Sequence, residues 1–279
     1  MTHPLRFCVV GAKGRMGTVL CEELRKHSDC VLAGGVVERA DDCCHHTSAA
    51  SCSCAGTFGG QDSHEPVLSN NINDIAAKSD VIVDFSTKTS TPNVISTAEA
   101  LEKPLVCGVT GLTLETHELM RNAAKNIPIF YSENFSVGIS AVGEILERLA
   151  VALRDFDVEI SEMHHSKKKD APSGTALKFG RIIASAREQP ESVFCLARSG
   201  DIGERPAEQI GFSVVRGGGV YGTHTIHFLG KDETVSITHQ GMSRSVFAEG
   251  AIRAARVLIG AQPGLYKNIR ELSHKKFVG

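Results

Sequence analysis

The sequence predicts an α/β protein in two parts, an N-terminal doubly wound parallel sheet and a smaller α+β domain with an open mixed sheet. Three observations carry that expectation. Over the first 135 residues, short apolar runs alternate with helical periodicities, as in strands joined by right-handed crossovers. After Phe135 the pattern changes to alternation, as in strands with one face in water. The chain's 279 residues, 42% of them apolar, suffice for one large core or two modest ones.

Each element has its own signal. Phe7-Cys8-Val9-Val10 is a short apolar run ending at Gly11, which suits a buried parallel strand. Met16 to Lys26 has helical spacing, with Met16, Val19, Leu20 and Leu24 on one face. Strands follow at Val31 to Val37, Val81 to Phe85, Leu105 to Val109 and Ile127 to Tyr131. Ala141 to Leu153 reads as a long amphipathic helix, and Asp157 to Met163 alternates as a half-buried strand does. A helix opens near Ser173, where Pro172 and small residues mark a start. Gly211 to Val215, His224 to Leu229 and Glu233 to His239 alternate again, and Phe247 to Ile259 is a final helix rich in Ala and Arg. There is no internal repeat.

Composition excludes several classes. With 30 Lys+Arg against 32 Asp+Glu, the formal net charge is −2, so bulk charge does not hold nucleic acid. No apolar run approaches the roughly 20 residues of a membrane span. The N-terminus lacks the basic segment and long apolar stretch of a secretion signal, and a cytoplasmic protein is expected. Nine cysteines then read as free thiols. Four of them crowd with two histidines into Cys43-Cys44-His45-His46, Cys52 and Cys54. Thiolate and imidazole suit zinc, but the spacing and the Ser, Ala, Thr and Gly between them favour a flexible loop, and no metal is expected.

Gly11-Ala12-Lys13-Gly14-Arg15-Met16-Gly17 follows the first strand and opens the first helix. Glycines there let backbone approach a pyrophosphate, and the helix N-terminus supplies amide donors. The G-x-x-G-x-x-G spacing departs by one residue from the usual dinucleotide fingerprint, and alone it serves equally as a tight turn. Glu38 lies just past the second strand, near the offset at which an acid meets an adenosine ribose. Arg39, Lys13 and Arg15 could instead pair a 2′-phosphate, so the combination admits either nicotinamide cofactor. A solvated surface charge is the commoner fate of a residue such as Arg39. Asp84-Phe85-Ser86-Thr87 and Gly108-Val109-Thr110-Gly111 end strands on the edge where such Rossmann-like sheets hold ligands, though tetrapeptides of this kind are often only turns.

The densest polar stretch runs from Glu162 through His164-His165-Ser166-Lys167-Lys168-Lys169-Asp170 to Ser173-Gly174-Thr175. A helix starting there would aim unpaired amides at an anion, and Thr175 adds a hydroxyl. Two imidazoles and several ammonium groups stand just upstream, able to bind carboxylates and deliver a proton. A Lys-Lys-Lys run is otherwise a solvated loop or a nucleic-acid contact. The His pair and the helix start that bracket it favour an anion-binding catalytic site.

His164-His165, Lys168 and Asp170-Ala171-Pro172-Ser173-Gly174-Thr175-Ala176 resemble the signature of the 4-hydroxy-tetrahydrodipicolinate reductases, long called dihydrodipicolinate reductases. Gly-Arg-Met-Gly at 14–17, Gly108 to Gly111, Asn134 to Gly138, Arg216 to His224 and Ser243 to Ala251 resemble them too, so the likeness covers nearly the whole chain. The family commonly has Thr where Val109 stands, and the stretch from about Cys43 to Ser63 has no counterpart in it. The resemblance implies reduction of a cyclic dicarboxylate imine by NADH or NADPH in lysine and diaminopimelate biosynthesis, by a homotetramer. It implies a dinucleotide-binding domain over 1–135, to which a segment from about 245 to 279 returns, and a substrate-binding and oligomerisation domain over 136–244. It makes His164 and Lys168 proton donors, and His165, Lys168, Gly174 and Thr175 the holders of the substrate carboxylates. The cofactor would lie on Gly11, Lys13, Gly14, Arg15, Met16 and Gly17, with Glu38, Arg39, Phe85, Ser86, Gly108, Val109, Thr110, Ser132, Glu133, Asn134 and Phe135.

Overall fold

The computed structural model describes residues 3–38 and 67–268. Contacts divide the chain into two units, one of Met1–Phe135 with Phe247–Gly279 and one of Ser136–Val246. The first unit opens with β1 (Leu5–Val10), α1 (Arg15–Leu24) and β2 (Cys30–Val36). Then come β3 (Leu68–Ser69), α2 (Ile72–Ala76), β4 (Val81–Asp84), α3 (Thr91–Ala100), β5 (Leu105–Cys107), α4 (Leu114–Ala123) and β6 (Pro128–Tyr131). The second unit carries α5 (Val137–Ala152), β7 (Asp157–His164), α6 (Gly174–Ala186), β8 (Phe194–Cys195), β9 (Ile210–Arg216), β10 (Thr223–Leu229) and β11 (Thr234–Gln240). The chain then passes through α7 (Ser245–Leu258) to β12 (Gly264–Tyr266) in the first sheet.

The first sheet has the order β12-β6-β5-β4-β1-β2-β3, and all its pairings are parallel. Its strands are predominantly apolar because both faces are covered. Along β1, Phe7 and Val9 pack into one core with α1 and α7, while Cys8 and Val10 pack into another with α2, α3 and α4. Each such fully buried large side chain contributes about 1.5–3 kcal/mol. The strand ends therefore sit on rigid supports, and the turns that leave them are where ligand contacts can be built.

The second sheet has the order β11-β10-β7-β9-β8 and is mixed, with β7 antiparallel to β10 and parallel to β9. Its apolar core lies on one face. Val158 and Ile160 of β7 pack against Ile139 and Leu146 of α5 and Phe179 and Ile183 of α6. Arg187, nearly buried, closes the far ends of these helices by donating to the carbonyls of Ala150, Leu153 and Phe156. The inward face of β7 continues past its apolar part to two buried polar residues, Glu162 and His164. A strand's period of two places them on the same side. Among the described residues no helix is long and apolar enough to cross a membrane, and no group of His, Cys, Asp and Glu could hold a metal ion.

Candidate active site

In the first unit, β1 ends at Val10 and the chain turns through Gly11, whose φ is +80°. A Cβ at Gly11 would stand 2.8 Å from the Phe85 carbonyl oxygen, and one at Gly17 would stand 2.1 Å from the Gly11 carbonyl oxygen. The loop is thus shut against both α1 and the turn after β4, and only glycine permits that approach. Gly14 is the N-cap of α1, and no side chain caps the helix, so its first-turn amides are available to an anion. Beside this loop lies a cleft of about 470 Å³ lined by Gly11, Lys13, Gly14, Val36, Val37, Glu38, Phe85, Ser86 and Thr87, among others.

Asp84 holds the turn on the cleft's far wall. Its buried carboxylate accepts hydrogen bonds from the Ser86 amide at 2.9 Å, the Ser86 hydroxyl at 2.5 Å and the Thr91 hydroxyl at 2.9 Å. Burial raises its proton affinity, and these three donors work against that rise. Phe85 meets the edge of Phe135 with ring centroids 5.6 Å apart, and Gly108 leaves the room the Phe85 ring occupies.

In the second unit, one buried carboxylate organises the end of β7. Glu162 Oε2 lies 2.6 Å from His164 Nδ1 and 2.7 Å from Arg216 Nη1. Its Oε1 accepts from Arg216 Nη2 at 2.7 Å and from the Ser173 amide at 2.9 Å. Burial alone would raise the Glu162 pKa, but the bonds from His164, Arg216 and Ser173 prevail and bring it down to about 2. Because the carboxylate can only accept, His164 Nδ1 carries the proton and Nε2 is left for other partners.

Ser173 is the N-cap of α6, where its hydroxyl accepts from the Ala176 amide at 3.2 Å. The same hydroxyl lies 3.0 Å from Nε2 of His224, a buried residue of β10 that stands opposite Glu162 in the register. Burial, and then the nearby His164, push the His224 pKa down to about 3, so it stays neutral. The loop between β7 and α6 carries Lys168, mostly buried, whose ammonium lies 2.8 Å from Asp170. Nδ1 of His165 is buried with no hydrogen-bond partner in the structure. Around Gly174, at the first turn of α6, no atom stands within 4 Å of where a Cβ would lie. A cationic loop, an imidazole that presents Nε2 and a sterically open first turn of α6 make a site for an anionic substrate that needs a proton.

Two family models divide the chain between them. That for the dihydrodipicolinate reductase N-terminus matches residues 5–135, and that for the C-terminus matches residues 138–272. The chain belongs to the dihydrodipicolinate reductase family. It is 41% identical over 266 residues to the 4-hydroxy-tetrahydrodipicolinate reductase of Desulfovibrio desulfuricans, covering 95% of this chain and 97% of that one. It is 38% identical to the enzyme of the same name from Nitrosomonas europaea, over 94% of this chain and 96% of that one. A dipicolinate-bound dihydrodipicolinate reductase from Paenisporosarcina sp. TG-14 shares the fold, with a TM-score of 0.75 at 22% identity over 96% and 99% of the two chains.

The expected site residues of a dihydrodipicolinate reductase are placed as follows. Gly11, Lys13, Gly14, Glu38, Phe85 and Ser86 come together around the cleft. Arg15 is exposed beside it, and Gly17 closes the loop from behind. Met16, Val109 and Phe135 turn their side chains into or against the apolar cores, leaving backbone as what they can offer a ligand. Gly108 and Thr110 follow β5, and Ser132, Glu133 and Asn134 follow β6, at the same sheet edge but outside the cleft's lining. There the Ser132 hydroxyl is engaged with the Asn134 carbonyl at 2.7 Å. His164, His165, Lys168, Gly174 and Thr175 all lie on the end of β7, its loop and the first turn of α6. Arg39 and the cysteine-rich stretch lie outside the described residues.

Sequence reasoning assigned no role to Asp84, Glu162, Ser173, Arg216 or His224. For Glu162 a signal was present, since two residues apart on a strand means one face shared with His164. For Arg216 and His224 the partners are more than 50 residues away, and no local pattern records the pairing.

Proposed function

We propose that this chain reduces 4-hydroxy-tetrahydrodipicolinate to tetrahydrodipicolinate, the reductase step of lysine and diaminopimelate biosynthesis, with His164 and Lys168 supplying the proton. The observation that carries the assignment is the Glu162–His164 pair, 2.6 Å apart, beside the open first turn of α6. Replacing the substrate's hydroxyl by hydrogen takes up one hydride and one proton and releases one water. A nicotinamide cofactor, when bound, supplies the hydride. The chain's own residues supply the rest.

His164 keeps the proton on Nδ1 toward Glu162, so Nε2 is the atom that first takes up a proton from solvent and then, as the imidazolium, gives it to the reacting ring. The Lys168 ammonium, partnered by Asp170, is the second donor and a counter-charge for a carboxylate. The amides at Gly174 and Thr175, the Thr175 hydroxyl and His165 hold the substrate's two carboxylates, with the dipole of α6 adding to their attraction.

The cofactor cradle fits a dinucleotide on two structural grounds. A Cβ at Gly11 or Gly17 would fill the space the closed loop needs, and the start of α1 is uncapped. Glu38 lines the cleft and would accept the adenosine ribose hydroxyls, while Lys13 lines the same cleft and would meet a 2′-phosphate, so both NADH and NADPH serve. The enzyme works in the cytoplasm, and as a homotetramer; association of copies is supported by a sheet face of the second unit on which Met163 and Val215 are exposed side by side.

The test is a comparison within Lys167-Lys168-Lys169. A loop acting through net charge alone responds alike to losing any of the three, whereas a positioned acid does not. Lys168→Ala and His164→Ala should each lower kcat by ~10²–10⁴-fold, with small effects for Lys167→Ala and Lys169→Ala. Similar modest losses at all three lysines would refute the assignment.

A further inference from the structure

A single buried ion pair holds all three arms of the second unit's site. The Glu162 carboxylate, with no exposed side-chain surface, takes four hydrogen bonds, two on each oxygen. Oε2 holds His164, and Oε1 holds the Ser173 amide at the N-cap of α6. Arg216, bound to both oxygens, also donates to the Asp170 carbonyl at 2.7 Å, in the loop that carries Lys168. Proton donor, carboxylate cradle and lysine loop therefore share one anchor. A buried ion pair is in general a poor source of stability, since desolvation offsets the attraction, and its better-attested use is to specify an arrangement.

We propose that Glu162 is the positioning residue of this site: it fixes His164 as the Nδ1–H tautomer with Nε2 presented, and through Arg216 and Ser173 holds the lysine loop and the first turn of α6 in register with it. The proposal rests on the reading of His164 as proton donor. The groups facing His164 are consistent with it. Among the described residues, Glu162 on the same strand is the acid that pairs with it. Arg216, its register partner on β9, is committed to Glu162. His224 on β10 meets the His164 ring edge-on at 5.1 Å and, buried against the Ser173 hydroxyl, brings no competing charge.

In Glu162→Gln the side-chain amide brings two N–H donors to a point where every neighbour already donates. Arg216 and the Ser173 amide cannot become acceptors, but His164 can, by moving its proton from Nδ1 to Nε2. The experiment is long-range 1H–15N NMR of the 15N-histidine-labelled full chain, with the His164 signals assigned by their loss in His164→Asn. The wild type should show the neutral His164 ring protonated at Nδ1. In E162Q the ring should shift to Nε2–H, and kcat should fall by on the order of 10²-fold or more. An Nε2–H ring in the wild type overturns the proposal, and so does an E162Q protein that keeps both the tautomer and kcat. The wild-type spectrum decides the tautomer even if E162Q does not fold. Absence of turnover by the wild type would instead sink the assigned reaction while leaving the tautomer measurement intact.

Discussion

Replacing Gly17 by Ala puts the cofactor cradle to a quantitative test. In a helix Ala is favoured over Gly by about 1 kcal/mol, so propensity alone predicts a more stable protein. The structure predicts the reverse. The added Cβ would stand 2.1 Å from the Gly11 carbonyl oxygen and 2.8 Å from the Ala12 Cα, against an ordinary contact of 3.4 Å or more. Both obstacles are backbone, so the first turn of α1 must move outward by about 1.3 Å. Forcing such an overlap costs about 1–3 kcal/mol of stability. A shift of that size also carries an amide beyond hydrogen-bond reach of a phosphate oxygen it had met near 3 Å. Each charge-assisted bond lost removes about 1.5–3 kcal/mol, hence about one to two orders of magnitude in Kd. Titration of the variant with NADH by fluorescence, alongside a denaturant melt, reads both effects. A variant as stable as the wild type that binds NADH within twofold of it would refute the closed loop and its role as the pyrophosphate cradle.

Two further outcomes follow from the second unit. Gly174→Ala meets no atom within 4 Å, so stability should hold or rise by ~0.4–1 kcal/mol, while KM for the dicarboxylate should rise by about tenfold; an unchanged KM would move the substrate away from this turn. Glu162, brought from an ordinary 4.5 down to about 2, contributes stability that is fully present above pH 4.5 and lost as pH falls toward 2. That contribution is about 3 kcal/mol, so the unfolding free energy of E162Q should fall less steeply between pH 5 and 2 than that of the wild type, and equal slopes would contradict the pairing.

Where the sequence carried a period or a punctuation mark, the fold was readable. The apolar run ending at Gly11, the helix behind it, and the alternating strand read over Asp157 to Met163 all stand within a residue or two of where their patterns place them. The helix at Gly174 begins at the Ser173 cap that the small residues announce. Other elements escaped for a physical reason. Leu68–Ser69, Ile72–Ala76 and Gly264–Tyr266 span two to five residues, too few to show a period, and they exist because a neighbouring strand or core completes them. The helices Thr91–Ala100 and Leu114–Ala123 went unread as well.

The site divides the same way. The donors on one continuous stretch, His164 to Thr175, could be listed from the sequence, because a loop and the helix start after it keep neighbours together. What organises them could not. Glu162 is bound to Arg216 across 54 positions, and Ser173 meets His224 across 51, so those contacts come from the strand order and from where α6 starts above the sheet. The Asp84 network shows the intermediate case. Its partners Ser86 and Thr91 are two and seven residues away, but only the burial of the strand end makes a carboxylate there demand them.

In the proposed reaction this chain couples oxidation of a reduced nicotinamide to reduction of 4-hydroxy-tetrahydrodipicolinate. Its most direct test supplies that substrate in the cuvette from the aldolase that makes it and follows nicotinamide absorbance with the purified wild-type protein. Prompt loss of absorbance is expected with NADH and with NADPH, one cofactor oxidised per substrate consumed and none without substrate. No substrate-dependent loss with either cofactor, in a folded protein that binds NADH, would contradict it.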